Sequence, residues 1–461
     1  MAGRNLLFGW PDFRNWTPMD HPSTATRQLT RQDARTLFLA SLGGALEFYD
    51  FIIYVFFAAA IGKLFFPAEM PDWLQQVQTY GIFAAGYLAR PLGGVVMAHF
   101  GDLFGRKRVF TFSVFLMAVP TLIMGLLPTY ASIGVAAPIL LLVMRMLQGA
   151  AIGGEAPGAW VFVSEHVPAR RVGVACGMLT GGLTGGILLG SLMATAINTA
   201  YTPAEVVEFA WRIPFITGGI FGLVAMYLRR WLHETPVFEA IRQRAGTARE
   251  MPLKTMLRGQ GTSVIISMLV TWMLTAAIVV LILMTPALFQ KLHALTPAVT
   301  LQANVAATFC LTVMAVIVGA LLDRFGALRV GMVGSLALIA ATYALFYGVE
   351  ADTSNLLPLY ALAGSCVGII TVVPYVMVHA FPAITRFTGV SFSYNVAYAI
   401  FGGITPLVVS LLMTANRHAA AHYVVAVVLV GMVALAWNAA RTARIAATEE
   451  LAAPAAEPAL R

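Results

Sequence analysis

The chain has 461 residues, of which 59% are hydrophobic and only 11% charged, and its mean hydropathy is +0.80. Soluble domains carry about 25% charged residues, so an ordinary water-exposed globule is excluded and a bilayer is the natural solvent. The formal charge of +8 would suit nucleic acid, but the basic residues are segregated to the tails and alternate loops between apolar runs, which argues against it.

At about 20 apolar residues per spanning helix, this length holds about a dozen spans. Residues 1–36 are polar and include Arg4, Arg14, Arg27, Arg31 and Arg35. They lack a short apolar core with a small-residue cleavage site, so an uncleaved cytoplasmic tail is expected. Apolar runs of spanning length follow at 37–62, 76–99, 109–128, 136–164, 172–199, 212–232, 262–289, 299–322, 328–349, 355–379, 388–414 and 421–443. They lack the period-2 alternation of barrel strands, and only a closed barrel could satisfy strand backbone in lipid, so all are predicted helical. The polar stretch 233–261, with Arg242, Arg244, Arg249, Lys254 and Arg258, divides six spans from six. This predicts a bundle over 37–232, a linker over 233–261, a second bundle over 262–443 and a tail over 444–461. Cys176, Cys310 and Cys366 sit in apolar runs without motif-spaced neighbours and read as small core residues. No metal site, cofactor or catalytic residue is expected.

Of the 29 Lys and Arg residues, the tails and even-numbered loops hold 23, the opposite side holds four (Lys63, Arg212, Lys291, Arg417), and Arg90 and Arg145 fall inside spans. Basic loops face the cytoplasm, so both termini are predicted to be cytoplasmic.

An ionisable group at membrane depth costs about 2.5–3.5 kcal/mol even on lenient scales, so such residues are expected to face the protein interior. Five stand out: Glu47 and Asp50 on span 1, Arg90 on span 2, and Arg145 and Glu155 on span 4. Glu47 and Asp50 are three apart and share a helix face that Tyr54 continues. Two close carboxylates repel when both are ionised, so one is expected to hold a proton. Arg90 and Arg145 are suited to grip a carboxylate in a fork; a static ion-pair network tying spans 1, 2 and 4 is the other use of the same residues. The second half is different. No Asp or Glu occurs from Arg324 to Val349 or from Thr353 to Thr448. If carboxylates carry protons, the first half must do it, with His379 as the second-half alternative at a span end. Polar candidates there are Thr271, Trp272 and Thr275 on span 7, Tyr375 on span 10, and Ser391, Ser393, Tyr394, Asn395 and Tyr398 on span 11. Span 5 carries two interleaved ridges, Gly177/Gly181/Gly185 and Gly182/Gly186/Gly190, that let other helices approach closely.

Two segments about 220 residues apart resemble each other: Gly101–Arg108 after span 2, and Asp323–Arg329 after span 8. Repeated halves are a signature of secondary transporters. Asp102-x-x-Gly105-Arg106-Lys107 resembles the loop signature of the major facilitator superfamily, and Arg145-x-x-Gln148-Gly149 resembles its fourth-helix motif. More specifically, Leu46-Glu47-Phe48-Tyr49-Asp50-Phe51, Ala89-Arg90-Pro91-Leu92-Gly93-Gly94, Gly153-Gly154-Glu155 and Arg386-Phe387-Thr388-Gly389 are similar to motifs of the metabolite:proton symporters. Those include carriers of proline/betaine, α-ketoglutarate, citrate and shikimate. One departure is His379-Ala380-Phe381-Pro382, where the family usually has Glu first; any latch there is lost or becomes pH-dependent.

The resemblance implies an all-α membrane protein with twelve transmembrane helices in two six-helix bundles, a monomer in a bacterial-type inner membrane. It implies a proton symporter of a small carboxylate-bearing or zwitterionic metabolite working by alternating access; a proton-coupled exporter is the alternative. Proton coupling is expected from Glu47, Asp50 and Glu155. Substrate binding is expected from Tyr54, Arg90, Arg145, Gln148, Trp272, Tyr375, Tyr394 and Asn395. A cytoplasmic gate is expected from Asp102, Arg106, Arg108, Asp323, Arg324 and Arg386.

Overall fold

The computed structural model describes the backbone of residues 30–104, 106–229 and 259–452. Within these it describes all side chains except those at 98–104, 106–111, 228, 229, 383, 384, 446 and 449–452. Most of the predicted linker and tails lie outside. Among the described residues the chain is helical without strands, as backbone that must pair internally in lipid requires.

The long helices are α1 (Arg31–Phe56), α2 (Ala58–Phe65), α3 (Asp72–Phe104) and α4 (Arg106–Leu126), then a short α5 (Tyr130–Ile133), α6 (Ala136–His166) and α7 (Val172–Ala200). A short α8 (Pro203–Glu205) leads through a π turn into α9 (Arg212–Arg229). The second half has α10 (Gly261–Ala276), a π segment (Ala277–Met284) and α11 (Thr285–His293) in one rod. It continues with α12 (Pro297–Phe325), α13 (Ala327–Ala351), α14 (Leu356–Val367) and α15 (Val372–Ala380). Last come α16 (Ala383–Ala397), a π turn (Tyr398–Gly402), α17 (Gly403–Ala415) and α18 (Ala419–Ala452). Among the described residues, nine helical rods are long and apolar enough to cross a membrane, and Pro203–Ala210 with Arg212–Tyr227 makes a tenth bent by 46°. Helices α3 and α4 occupy the places of predicted spans 2 and 3.

Local chemistry sets several boundaries. Thr30 and Asp33 form a capping box that starts α1 inside the predicted tail. Thr296 caps α12, with Pro297 at its first position. Gly326, at φ 79°, allows α12 and α13 to meet with one residue between them.

The two glycine ridges of span 5 have different partners. Gly177 on α7 stands against Ala315 and Gly319 of α12, so that a Cβ would lie 2.9 Å from the Ala315 carbonyl. Gly182 and Gly186 stand against Ser41 and Ala45 of α1. α7 is therefore packed by bare backbone on one first-half and one second-half helix.

Candidate functional site

The site is built where α3 crosses α6. A Cβ at Gly149 would overlap the Gly86 carbonyl, and one at Gly153 would overlap the carbonyl of Arg90. Glycine at these points lets the two backbones touch, which sets Arg90 of α3 and Arg145 of α6 into the same layer of the interior. Arg90 stands over the Tyr87 ring at 5.5 Å.

Arg145 is fully buried. Its Nη1 donates to the Phe51 carbonyl (3.1 Å) and to Gln148 Oε1 (2.8 Å). Gln148 Nε2 in turn donates to Thr121 Oγ1 (2.6 Å), which donates to the Met117 carbonyl. The guanidinium lies 4.3 Å from the Phe51 ring centroid and 4.5 Å from that of Tyr54. Tyr54 is itself held by donation to the Thr79 carbonyl. Nε and Nη2 of Arg145 have no hydrogen-bond partner among the described residues.

Arg90, 1% exposed, sits in a tyrosine box: its guanidinium carbon is 4.4 Å from the Tyr398 centroid, 5.3 Å from Tyr394 and 5.5 Å from Tyr87. Tyr394 and Tyr398 belong to the second half, and Trp160 closes on Tyr394 edge to face at 4.9 Å. The flat ring faces carry negative quadrupole and stabilise a buried cation. Nε and Nη2 of Arg90 likewise lack partners among the described residues.

Asp50 is fully buried, and neither carboxyl oxygen has a hydrogen-bond partner among the described residues. It shares α1 with Glu47 and Tyr54 but turns toward α4 and α9. Glu47 and Glu155 are also buried, and each interacts with a neighbouring group.

Asn395 donates to the Gly153 carbonyl of α6 and to Ser391 (3.3 Å), bridging α16 to the α3–α6 crossing. Trp272 lies apart, donating to Tyr423 Oη (3.0 Å) and stacked on Phe401 at 4.3 Å. Tyr375 is half-buried against His379 near the end of α15 and does not reach the arginines' tyrosine box.

At the end of the bundle where α1 begins, Asp323 meets no arginine in an ion pair among the described residues. Its oxygens accept from the amides of Gly173 (2.6 Å) and Val174 (2.9 Å), capping α7. A carboxylate is favoured there because the first-turn amides lack helical partners. Arg386 pairs with Glu165 at 3.6 Å, with both side chains under 10% exposed. Arg324 is exposed, over Phe325 at 5.1 Å. The side chains of Asp102, Arg106 and Arg108 lie outside the described residues.

Sequence reasoning missed Tyr87, Thr121, Gly218 and Gly222. Only Tyr87 had a local signal, being three residues before Arg90 and so on the same helix face.

The Major Facilitator Superfamily profile matches residues 40–406. A putative proline/betaine transporter of Staphylococcus aureus (strain COL) is 31% identical over 409 residues, covering 87% of each chain. The proline/betaine transporter of Escherichia coli (strain K12) is 29% identical over 413 residues, covering 86% of this chain and 81% of the relative. Among solved structures, the proton:xylose symporter XylE bound to 6-bromo-6-deoxy-D-glucose superposes with a TM-score of 0.71. It is 15% identical, with 88% of this chain and 94% of that one covered.

Proposed function

The chain belongs to the major facilitator superfamily, and from that premise we propose that it is a proton symporter of a small solute bearing a carboxylate, bound between two six-helix halves. It is a multi-pass membrane solute transporter and not an enzyme; solute, coupling and orientation are the proposal. In this reading both termini face the cytoplasm of a bacterial-type cell, because the basic loops lie on their side.

One observation carries the reading. Two buried guanidiniums, Arg90 and Arg145, each keep N–H donors that no described group accepts, while the buried Asp50 carboxyl has no donor among the described residues. Leaving buried charged groups unsatisfied is costly, so the arrangement suits groups that exchange partners during a cycle. A solute carboxylate supplies what the arginines lack, and their planar forks favour it over other anions of the same charge. The proline/betaine relatives agree with a compact carboxylate-bearing solute.

The proton role falls to Asp50. A neutral Asp50 needs no counter-charge. An ionised one would draw on Arg145, whose Nη1 already touches the carbonyl of Phe51, the next residue. Protonation from outside thus leaves Arg145 free for the solute, and loss of the proton inside makes Asp50 compete with it. Proton and solute then favour the same state, which is the condition for symport. Glu47 and Glu155, already engaged with neighbours, are secondary carriers.

The test is uptake of labelled proline and betaine into proteoliposomes. Acid outside should drive accumulation, and Asp50→Asn should abolish that drive while preserving solute exchange at equal pH. Asp50→Asn vesicles that still accumulate solute in full response to the gradient would overturn the assignment. Acid outside expelling the solute would establish the exporter alternative.

A further inference from the structure

The slot that holds Asp50 is made of missing atoms. A Cβ on Gly218 of α9 would stand 2.5 Å from Asp50 Oδ1, 3.0 Å from Thr121 Cγ2 and 3.1 Å from Tyr49 Cε1. A Cβ on Gly222, one turn on, would stand 3.1 Å from Asp50 Oδ2 and overlap Ala118 of α4. The slot is sealed along the bundle in both directions. On one side Leu46, Val114 and Ala225 form an apolar cluster across α1, α4 and α9. On the other, Tyr49 donates to the Pro214 carbonyl (3.0 Å) and packs edge to face on Phe221 at 5.3 Å. The Thr121 hydroxyl beside the slot is committed to Gln148 and Met117.

We propose that Gly218 and Gly222 are positioning residues for the transported proton: they form a dry slot between α1, α4 and α9 that accepts only the neutral Asp50 carboxyl, and the slot is the proton-loaded parking position. The inference rests on the reading of Asp50 as the proton carrier. An ionised carboxylate there would face glycine Cα atoms, the Ala118 methyl and a tyrosine ring with no donor, and burial disfavours the charged form of such a group. The charged or titratable groups around it are few. α1 brings Glu47 and Tyr49, and α6 brings Arg145 behind Gln148 and Thr121. The stretch of α9 between Arg212 and Tyr227 has none, and α4 faces it with Ala118 and Thr121. Leaving the slot toward Arg145 is then the step that releases the proton.

Gly218→Ala tests this directly, because the new methyl would meet the movable ends of Asp50, Thr121 and Tyr49 rather than backbone. Gly219→Ala is the packing control: its Cβ would press on Leu122 at 2.7 Å without touching Asp50. The readout, independent of solute, is the infrared carbonyl band of the protonated carboxyl that Asp50→Asn removes from the reconstituted protein. Gly218→Ala should lower its titration midpoint by roughly one pH unit or more, a tenfold rise in the proton concentration needed. Gly219→Ala should leave it in place. Thr121→Ser opens the slot without adding bulk and should shift the midpoint the same way by less, which keeps the test alive if Gly218→Ala does not fold. An unchanged midpoint in both slot variants, or an equal shift in Gly219→Ala, would overturn the inference. If Asp50→Asn abolishes proton-driven uptake while the slot variants titrate normally, only the slot is wrong. If Asp50→Asn uptake keeps its proton dependence, the carrier assignment fails first.

Discussion

The buried arginines show how one side chain can serve fixed structure and exchangeable binding at once. Arg145 spends one nitrogen on the α1 backbone and on Gln148, and keeps its other two nitrogens uncommitted among the described residues. Lysine would retain charge but lose the planar fork and the stacking on Phe51 and Tyr54. Arg145→Lys is expected to raise the KM for proline or betaine uptake by roughly tenfold, about 1.4 kcal/mol, while the protein still reaches the membrane in normal amount. Initial rates over a solute series check it; an unchanged KM would remove Arg145 from solute binding. At this scale the sequence was informative about which residues matter. Depth alone marked Asp50, Arg90 and Arg145. Spacing placed Glu47 and Asp50 on one face, but it could not show that Asp50 enters the α4–α9 junction, because that depends on where another helix lacks Cβ atoms. The tyrosine box of Arg90 was equally hidden, since Tyr87 and Tyr398 are over 300 residues apart in the chain.

Among elements, α7 is the clearest case of a helix defined by its neighbours. Its two ridges were readable as glycine at four-residue spacing, but the spacing is silent on partners. The structure assigns one ridge to α12 and the other to α1. The ridges are unequal along their length, which gives a paired prediction. Gly177→Val should force α7 from α12, since Ala315 and Gly319 backbone atoms lie 2.9 Å from the first added carbon. Overpacking of that kind costs about 1–3 kcal/mol. Gly185→Ala, whose nearest neighbour is Thr312 Cγ2 at 4.0 Å, should be nearly neutral. Thermal unfolding in detergent, followed by the accessibility of Cys176 (buried among the same helices), should separate the two variants. Equal melting would show that the α7–α12 contact is loose.

At the scale of the whole molecule, the end where α1 begins has contacts that join first-half and second-half helices. Asp323 of α12 caps α7, and Arg386 of α16 meets Glu165 of α6. A carboxylate on helix amides is worth about 1 kcal/mol through the cap and the helix dipole. Asp323→Asn should therefore shift the population toward the form open at that end by roughly fivefold. Spin-label distances across that end should read the shift, and an unaltered distance distribution would mean that the cap does not hold the closed state. The repeated Asp323–Arg329 motif pointed to this end of the bundle, and the structure adds a partner that the motif does not contain, the N-terminus of α7.

Composition, apolar run length and the distribution of basic residues were sufficient to establish a helical, multi-pass membrane protein, because lipid permits so few backbone solutions. Motifs in order along the chain added the family. Only the tertiary structure decided which buried groups are partnered. Satisfaction of a charge depends on the atoms of other helices that surround it, and no local spacing along α1, α3 or α6 contains that information.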